Sequence, residues 1–283
     1  MTTEPTGPTG STDPTQSTKS THSHRLGSVD WLSIALVLGG LLLVYYFAPL
    51  LSLFLSASPS EVLGRLGDAT VRSAATTSLL SASITTVVAT VFGLPLAYWL
   101  ARAETPWKNA VLAVVVLPLV LPPTVGGVVL LTVFGPNTLL GGTAAAAGLP
   151  LTRSLAGVVL AQTFVASPFV VVTAKAAFES VDRTLEHASR SLGKSRWATA
   201  RNVTLPLAGP GILAGVTLAF ARAMGEFGAT MMVAYYPRTM PVEIWVSFQS
   251  LGLDSAYPVA ILLVVISVGA LLVLNTVASN PWR

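Results

Sequence analysis

The residues best placed to do chemistry in this 283-residue chain are Arg222 and Glu226, four apart inside a segment that is otherwise apolar. Each charge costs about 2.5–3.5 kcal/mol at the centre of a bilayer on insertion scales, so neither can face lipid there. On a helix that spacing lets them pair on one face with Thr230 next along it, while Ala221, Gly225 and Ala229 form a neighbouring ridge of small residues. Two readings stay open. Either the pair neutralises itself between helices, or the three line a polar substrate path or gate. In the second case Arg222 can face an anion only if Glu226 is engaged elsewhere.

Other chemistries lack their residues. The chain has no cysteine, which removes disulfides, thiolate nucleophiles and cysteine-held metals. His22, His24 and His187 all fall outside the apolar runs, so an intramembrane Ser–His dyad has no base and no enzyme is expected. Gly193, Lys194 and Ser195 look like the end of a phosphate-binding loop, but the first glycine of that pattern would fall at Ala188 and no strand precedes it. ATP chemistry must therefore lie on another chain. Met224, Met231 and Met232 have no metal-ligating company and read as packing residues. No catalytic residue, metal or cofactor is expected here.

The elements that must position these residues are membrane spans. Of the whole chain 52% is hydrophobic and 10% charged, against roughly 25% charged in soluble domains. The apolar residues collect into uncharged runs that define an all-α membrane protein with six transmembrane helices, about 31–55, 73–101, 109–134, 154–174, 207–233 and 257–279. Residues 1–29 are rich in Thr, Ser and Pro and are expected to be a disordered tail before a membrane domain 30–283. Residues 135–153 read as a polar, Gly-rich loop. Pro118, Pro122 and Pro123 break the third span, so neighbouring protein or water must cover its freed carbonyls. Hydroxyls at Ser81, Ser83, Thr85, Thr86 and Thr90 face more than one side of the second span, and Gly211 and Gly215 favour close packing of the fifth.

A net charge of +4 does not signal nucleic acid, because the basic residues are sorted by membrane side. Lys19, Arg25, Arg102, Lys108, Lys175, Arg183, Arg190, Lys194, Arg196, Arg201 and Arg283 share one side, and Arg65, Arg72, Arg153 and Arg238 the other. Eleven against four puts both termini in the cytoplasm of a multi-pass protein of the cell membrane.

The loop 175–205, between spans four and five, carries a helical pattern. Phe178, Val181, Leu185, Ala188 and Leu192 fall on one face, Glu179–Arg183 and Glu186–Arg190 are spaced to pair, and Gly193 ends the helix before a second short one carrying Trp197 and Arg201. Such a helix either lies on the membrane surface or docks into a soluble partner.

The run EHASRSLGKSRWATARNVTLP from Glu186 resembles the loop signature of ABC importer permeases: EAA, three residues, glycine, nine residues, I-x-LP. His187, Ala188 and Ser189 stand at the EAA positions, Gly193 at the glycine, and Val203, Leu205 and Pro206 at the close, with every spacing kept. His187 replaces the family Glu and Ser189 an Ala, and Glu186 lies one residue early. FARAMGEFGATMMVA, from Phe220, and LPLVLPPTVGG, from Leu117, resemble the fifth and third spans of molybdate, tungstate and sulfate permeases. TSLLSASITTVVATVFGLPLAYWLAR, from Thr77, resembles the start of the common permease domain. The resemblance covers residues 70–280 or so.

That resemblance implies the permease subunit of an ATP-driven importer of a tetrahedral oxyanion, molybdate or tungstate ahead of sulfate or thiosulfate. It further implies a homodimer, an ATP-binding subunit dimer carrying ATP and magnesium, and an extracytoplasmic oxyanion-binding protein. Leu185, Glu186, His187, Ala188, Ser189, Leu192 and Gly193 would then dock the ATPase as a coupling helix. The competing class, a secondary transporter, would need an inverted second half repeating the Arg222 and Glu226 feature, and no such repeat is visible.

Overall fold

A computed structural model describes residues 31–278. The expected tail 1–29, Lys19, Arg25 and Arg283 lie outside the described residues. Two units divide the chain, residues 1–50 and 51–283. The described part of the first belongs to α1, Trp31–Leu55, which buries none of its residues. An apolar run of this kind is helical in lipid because its backbone must satisfy its own polar groups.

The second unit is built around α3, Ala69–Arg102, packed along α7, Leu155–Ser180, and α10, Leu205–Met224. The covered stripe of α3 is Ser78, Ala82, Thr85, Ala89, Gly93, Ala97 and Leu100, each three or four residues on from the last. Nearly all are small, since between spans in lipid only close approach, dispersion and hydrogen bonds favour contact. Ala166, Val170, Ala219, Phe220 and Ala223 fill the seam from α7 and α10. Gly211 and Gly215 bring α10 against α7: a Cβ on Gly211 would stand 2.6 Å from Ala177 Cβ, and one on Gly215 3.2 Å from Thr173 Cβ. Ser81, Thr86 and Thr90 bond back to carbonyls of their own helix, whereas Thr85 reaches Gln162 Oε1 of α7 at 3.1 Å.

The third span is broken more sharply than a kinked helix. α4, Lys108–Val120, and α5, Pro123–Phe134, are bent by 119°. Leu121 before the two prolines is extended, as a pre-proline residue must be, and the prolines cannot donate across the corner. Only the second half is covered by protein: α5 buries Gly126, Gly127 and Leu130, while α4 buries nothing and Pro122 and Pro123 are exposed.

Short helices occupy stretches that read as connections. α2, Pro59–Leu66, opens on a capping box of Ser58 and Glu61. α6, Leu139–Ala146, capped by Thr138, fills the expected loop 135–153. After α7 come α8, Arg183–Ser191, and α9, Arg196–Thr199, and a π-helical turn at 200–204 then runs straight into α10. The fifth candidate span therefore starts at Arg196 and stops at Met224, where an unbroken helix 207–233 was expected. α11, Gly228–Val233, follows the break, then α12, Met240–Leu251, and α13, Leu253–Ala278. Among the described residues five helices are long and apolar enough to cross a membrane, and the bent α4–α5 pair makes a sixth if it counts as one span. Among the described residues there is no strand.

Candidate functional site

Three ion pairs gather the loops at one end of the bundle. Arg102 meets Glu186 at 2.7 Å, Arg183 meets Glu104 at 2.9 Å, and Lys108 meets Glu179 at 3.5 Å. They tie the end of α3, the turn after it and the start of α4 to the last turn of α7 and to α8. Neither i, i+4 pair expected in the loop forms: α7 ends at Ser180 and the chain is extended through Val181 and Asp182, which separates Glu179 from Arg183, and Glu186 is held by Arg102 instead of Arg190.

Asp182 starts that helix by accepting the Thr184 N–H at 2.8 Å, which holds its carboxyl below the usual range. Gly193 finishes it at φ +84, with its own N–H on Arg190 O and the Lys194 N–H on Ser189 O, the two bonds of a Schellman cap. The apolar face is thereby split. Phe178 and Val181 are buried in the bundle, whereas Leu185, Ala188 and Leu192 are exposed, Leu192 at 84% and the nearby Trp197 at 76%.

Of the seven residues expected to dock a partner, Leu185, His187, Ala188, Leu192 and Gly193 face outward. Glu186 turns the other way onto Arg102, and Ser189 shares a 3.1 Å hydrogen bond with Thr199. Arg102 carried no signal as a partner for the loop, since 84 positions separate it from Glu186.

Arg222 and Glu226 do pair, but not on one continuous helix. α10 ends at Met224 and α11 starts at Gly228, so Glu226 stands in the break. Its side chain is wholly buried: Oε1 accepts the Ala229 N–H at 2.7 Å, and Oε2 lies 2.5 Å from Arg222 Nη2. That second approach is off the direction of a hydrogen bond, so Oε2 has charge compensation without a donor. The Thr230 hydroxyl is buried without a partner. Arg222, at 26%, is the one of the three that reaches the surface. The carboxylate thus joins the last turn of α10 to the first of α11.

α11 in turn lies on α5 with glycines at the contact. A Cβ on Gly228 would stand 2.8 Å from Pro123 Cβ, and one on Gly127 3.0 Å from the Ala229 backbone. Beyond α11, Arg238 lies over the rings of Tyr235 and Tyr236 and pairs with Glu243 at 3.1 Å. No motif in the sequence marks this cluster as functional. Among the described residues no group of acids and histidines could hold a metal ion.

Long spans seamed by small residues, a broken pair of half-helices and an exposed loop at one end make this a multi-pass membrane permease. Its architecture is that of a solved bacterial alginate ABC transporter captured with an alginate pentasaccharide-bound periplasmic protein, at a TM-score of 0.70 and 17% identity over 87% of this chain and 93% of that one. Residues 90–280 match the binding-protein-dependent transport system inner membrane component family, and the chain belongs to that family. It is 55% identical to a probable molybdenum ABC transporter permease protein of Haloferax volcanii, across 92% of this chain and 95% of that one. It is 39% identical to the molybdate/tungstate transport system permease protein WtpB of Thermococcus kodakarensis, across 84% and 92%.

Proposed function

We propose that this chain is the translocating subunit of an ATP-driven importer of a tetrahedral oxyanion, molybdate or tungstate. The observation that carries the substrate is the 55% identity with a probable molybdenum permease along nearly the whole of both chains. Two copies form the pathway. An ATP-binding subunit dimer docks on the exposed faces of the two loops, and an extracytoplasmic binding protein delivers the anion. ATP and magnesium belong to the docked subunits, and this chain holds no cofactor.

Leu185, Leu192 and Trp197 support the docking surface, because large side chains left in water by the isolated chain gain most from a partner. The ends carrying residues 103–107 and 181–204 face the cytoplasm. In reconstituted complexes, binding protein loaded with molybdate or tungstate should stimulate ATP hydrolysis above the empty protein. Stimulation by sulfate alone would overturn the substrate.

A further inference from the structure

We propose that Glu186 is a positioning residue that fastens the loop to the bundle, so that a displacement of α8 is carried into α3 and α10. This rests on reading the outer face of the loop as the ATPase-docking surface. A single oxygen, Glu186 Oε1, accepts from Arg102 Nη2 at 2.7 Å, from Arg102 Nε at 3.1 Å and from Thr204 Oγ1 at 2.8 Å. Arg102 is the last residue of α3, and Thr204 closes the π-helical turn that leads into α10. Arg102 Nη2 also approaches Val181 O, where α7 ends, at 3.4 Å. Three elements meet at one carboxylate, and the end of α7 joins them through Arg102.

The other ties of α8 are weaker: Ser189 shares one neutral hydrogen bond with Thr199, only ten residues on and short of α3 and α10. The helix has no buried residue, so no apolar side chain anchors it in the bundle. The neighbouring pair Arg183–Glu104 is half and four-fifths exposed, a solvated contact worth little. Arg102 and Glu186 are 14% and 13% exposed, and Thr204 is fully buried. Water cannot readily replace either partner once they separate, so the elements shift together. The π-helical turn beneath the carboxylate is the compliant part, since such turns are wider than α and occur where a helix adjusts for function.

The test uses the full chain reconstituted with its ATP-binding subunit and binding protein, reading subunit association, ATP hydrolysis and anions imported per ATP. Glu186→Gln should associate and hydrolyse, yet import per ATP should fall about tenfold, the size of an ordinary coupling between sites. The exchange of Arg102→Glu with Glu186→Arg should recover most of it, which a merely structural role does not predict. Thr204→Val, which leaves the ion pair in place, should lower import per ATP less. Unchanged import per ATP in Glu186→Gln, or an exchange no better than its single changes, overturns the proposal. Should Glu186→Gln fail to accumulate, wild-type import per ATP in Thr204→Val overturns it as well. A wild-type chain that binds no ATP-binding subunit removes the docking reading first, and this inference with it.

Discussion

Glu226 is enclosed completely while Arg222 is a quarter exposed, and that asymmetry decides what each substitution does. Arg222→Met strands a carboxylate in low dielectric, where breaking a buried pair costs about 3–5 kcal/mol. Glu226→Gln keeps an oxygen for the Ala229 N–H and leaves a guanidinium that can reach the surface, so its cost is smaller. The double variant should recover much of the loss in Arg222→Met. Folded yield and melting in detergent measure this order, and equal losses in the two single variants would contradict it. The pairing of these residues was legible in their spacing. The break between them was not, because it is set by Gly228 lying on Pro123 and Thr124, residues remote in sequence.

At the scale of elements, α8 is held at its ends by Asp182 and Gly193 and at its middle by Glu186. A Cβ on Gly193 meets nothing within 4 Å, so a substitution there acts through φ +84 and not through space. Gly193→Val should therefore unwind the cap and lose the ATP-binding subunit, at about 1–2 kcal/mol for the left-handed conformation. Gly193→Asn, which tolerates that conformation better, should retain more of it. Pull-down of the ATP-binding subunit decides, and full retention by the Val variant would contradict the cap's role. The Asp182 carboxyl is depressed, so its contribution is present above its unfolded pKa and lost as pH falls through the lower folded one. Pull-down should accordingly be flat around neutrality and weaken only in acid.

The loop helix could be read from its pattern because Leu185, Ala188 and Leu192 repeat at helical spacing. Its true face could not, since Phe178 and Val181 belong to the same pattern but lie before an extended break and are buried. α12 escaped notice for a related reason. Glu243 interrupts its run, and its burial depends on Arg238 nearby and on the α3 seam, where Ser78 Oγ accepts the Met240 N–H at 2.8 Å.

For the whole molecule the long apolar runs were enough to find the spans, because lipid imposes helix on any segment of that length. The same property hides how they bend and meet, which small residues decide by contact. The sidedness proposed from the basic residues can be tested directly, because the chain's lack of cysteine makes single reporters clean. Thr105→Cys and Arg190→Cys should resist an impermeant thiol reagent in intact cells, whereas Ser60→Cys and Ala145→Cys should be labelled. All four positions are exposed, so labelling at Arg190→Cys would reverse the orientation.

ATP-driven import through this chain can be tested directly. The direct measurement is molybdate accumulation in vesicles holding the permease with its ATP-binding subunit and binding protein, with ATP supplied only on the side of residues 181–204. Accumulation above the external concentration, abolished when that ATP is withheld, is the predicted result. Accumulation driven by a proton or sodium gradient without ATP would contradict it and make the chain a secondary transporter.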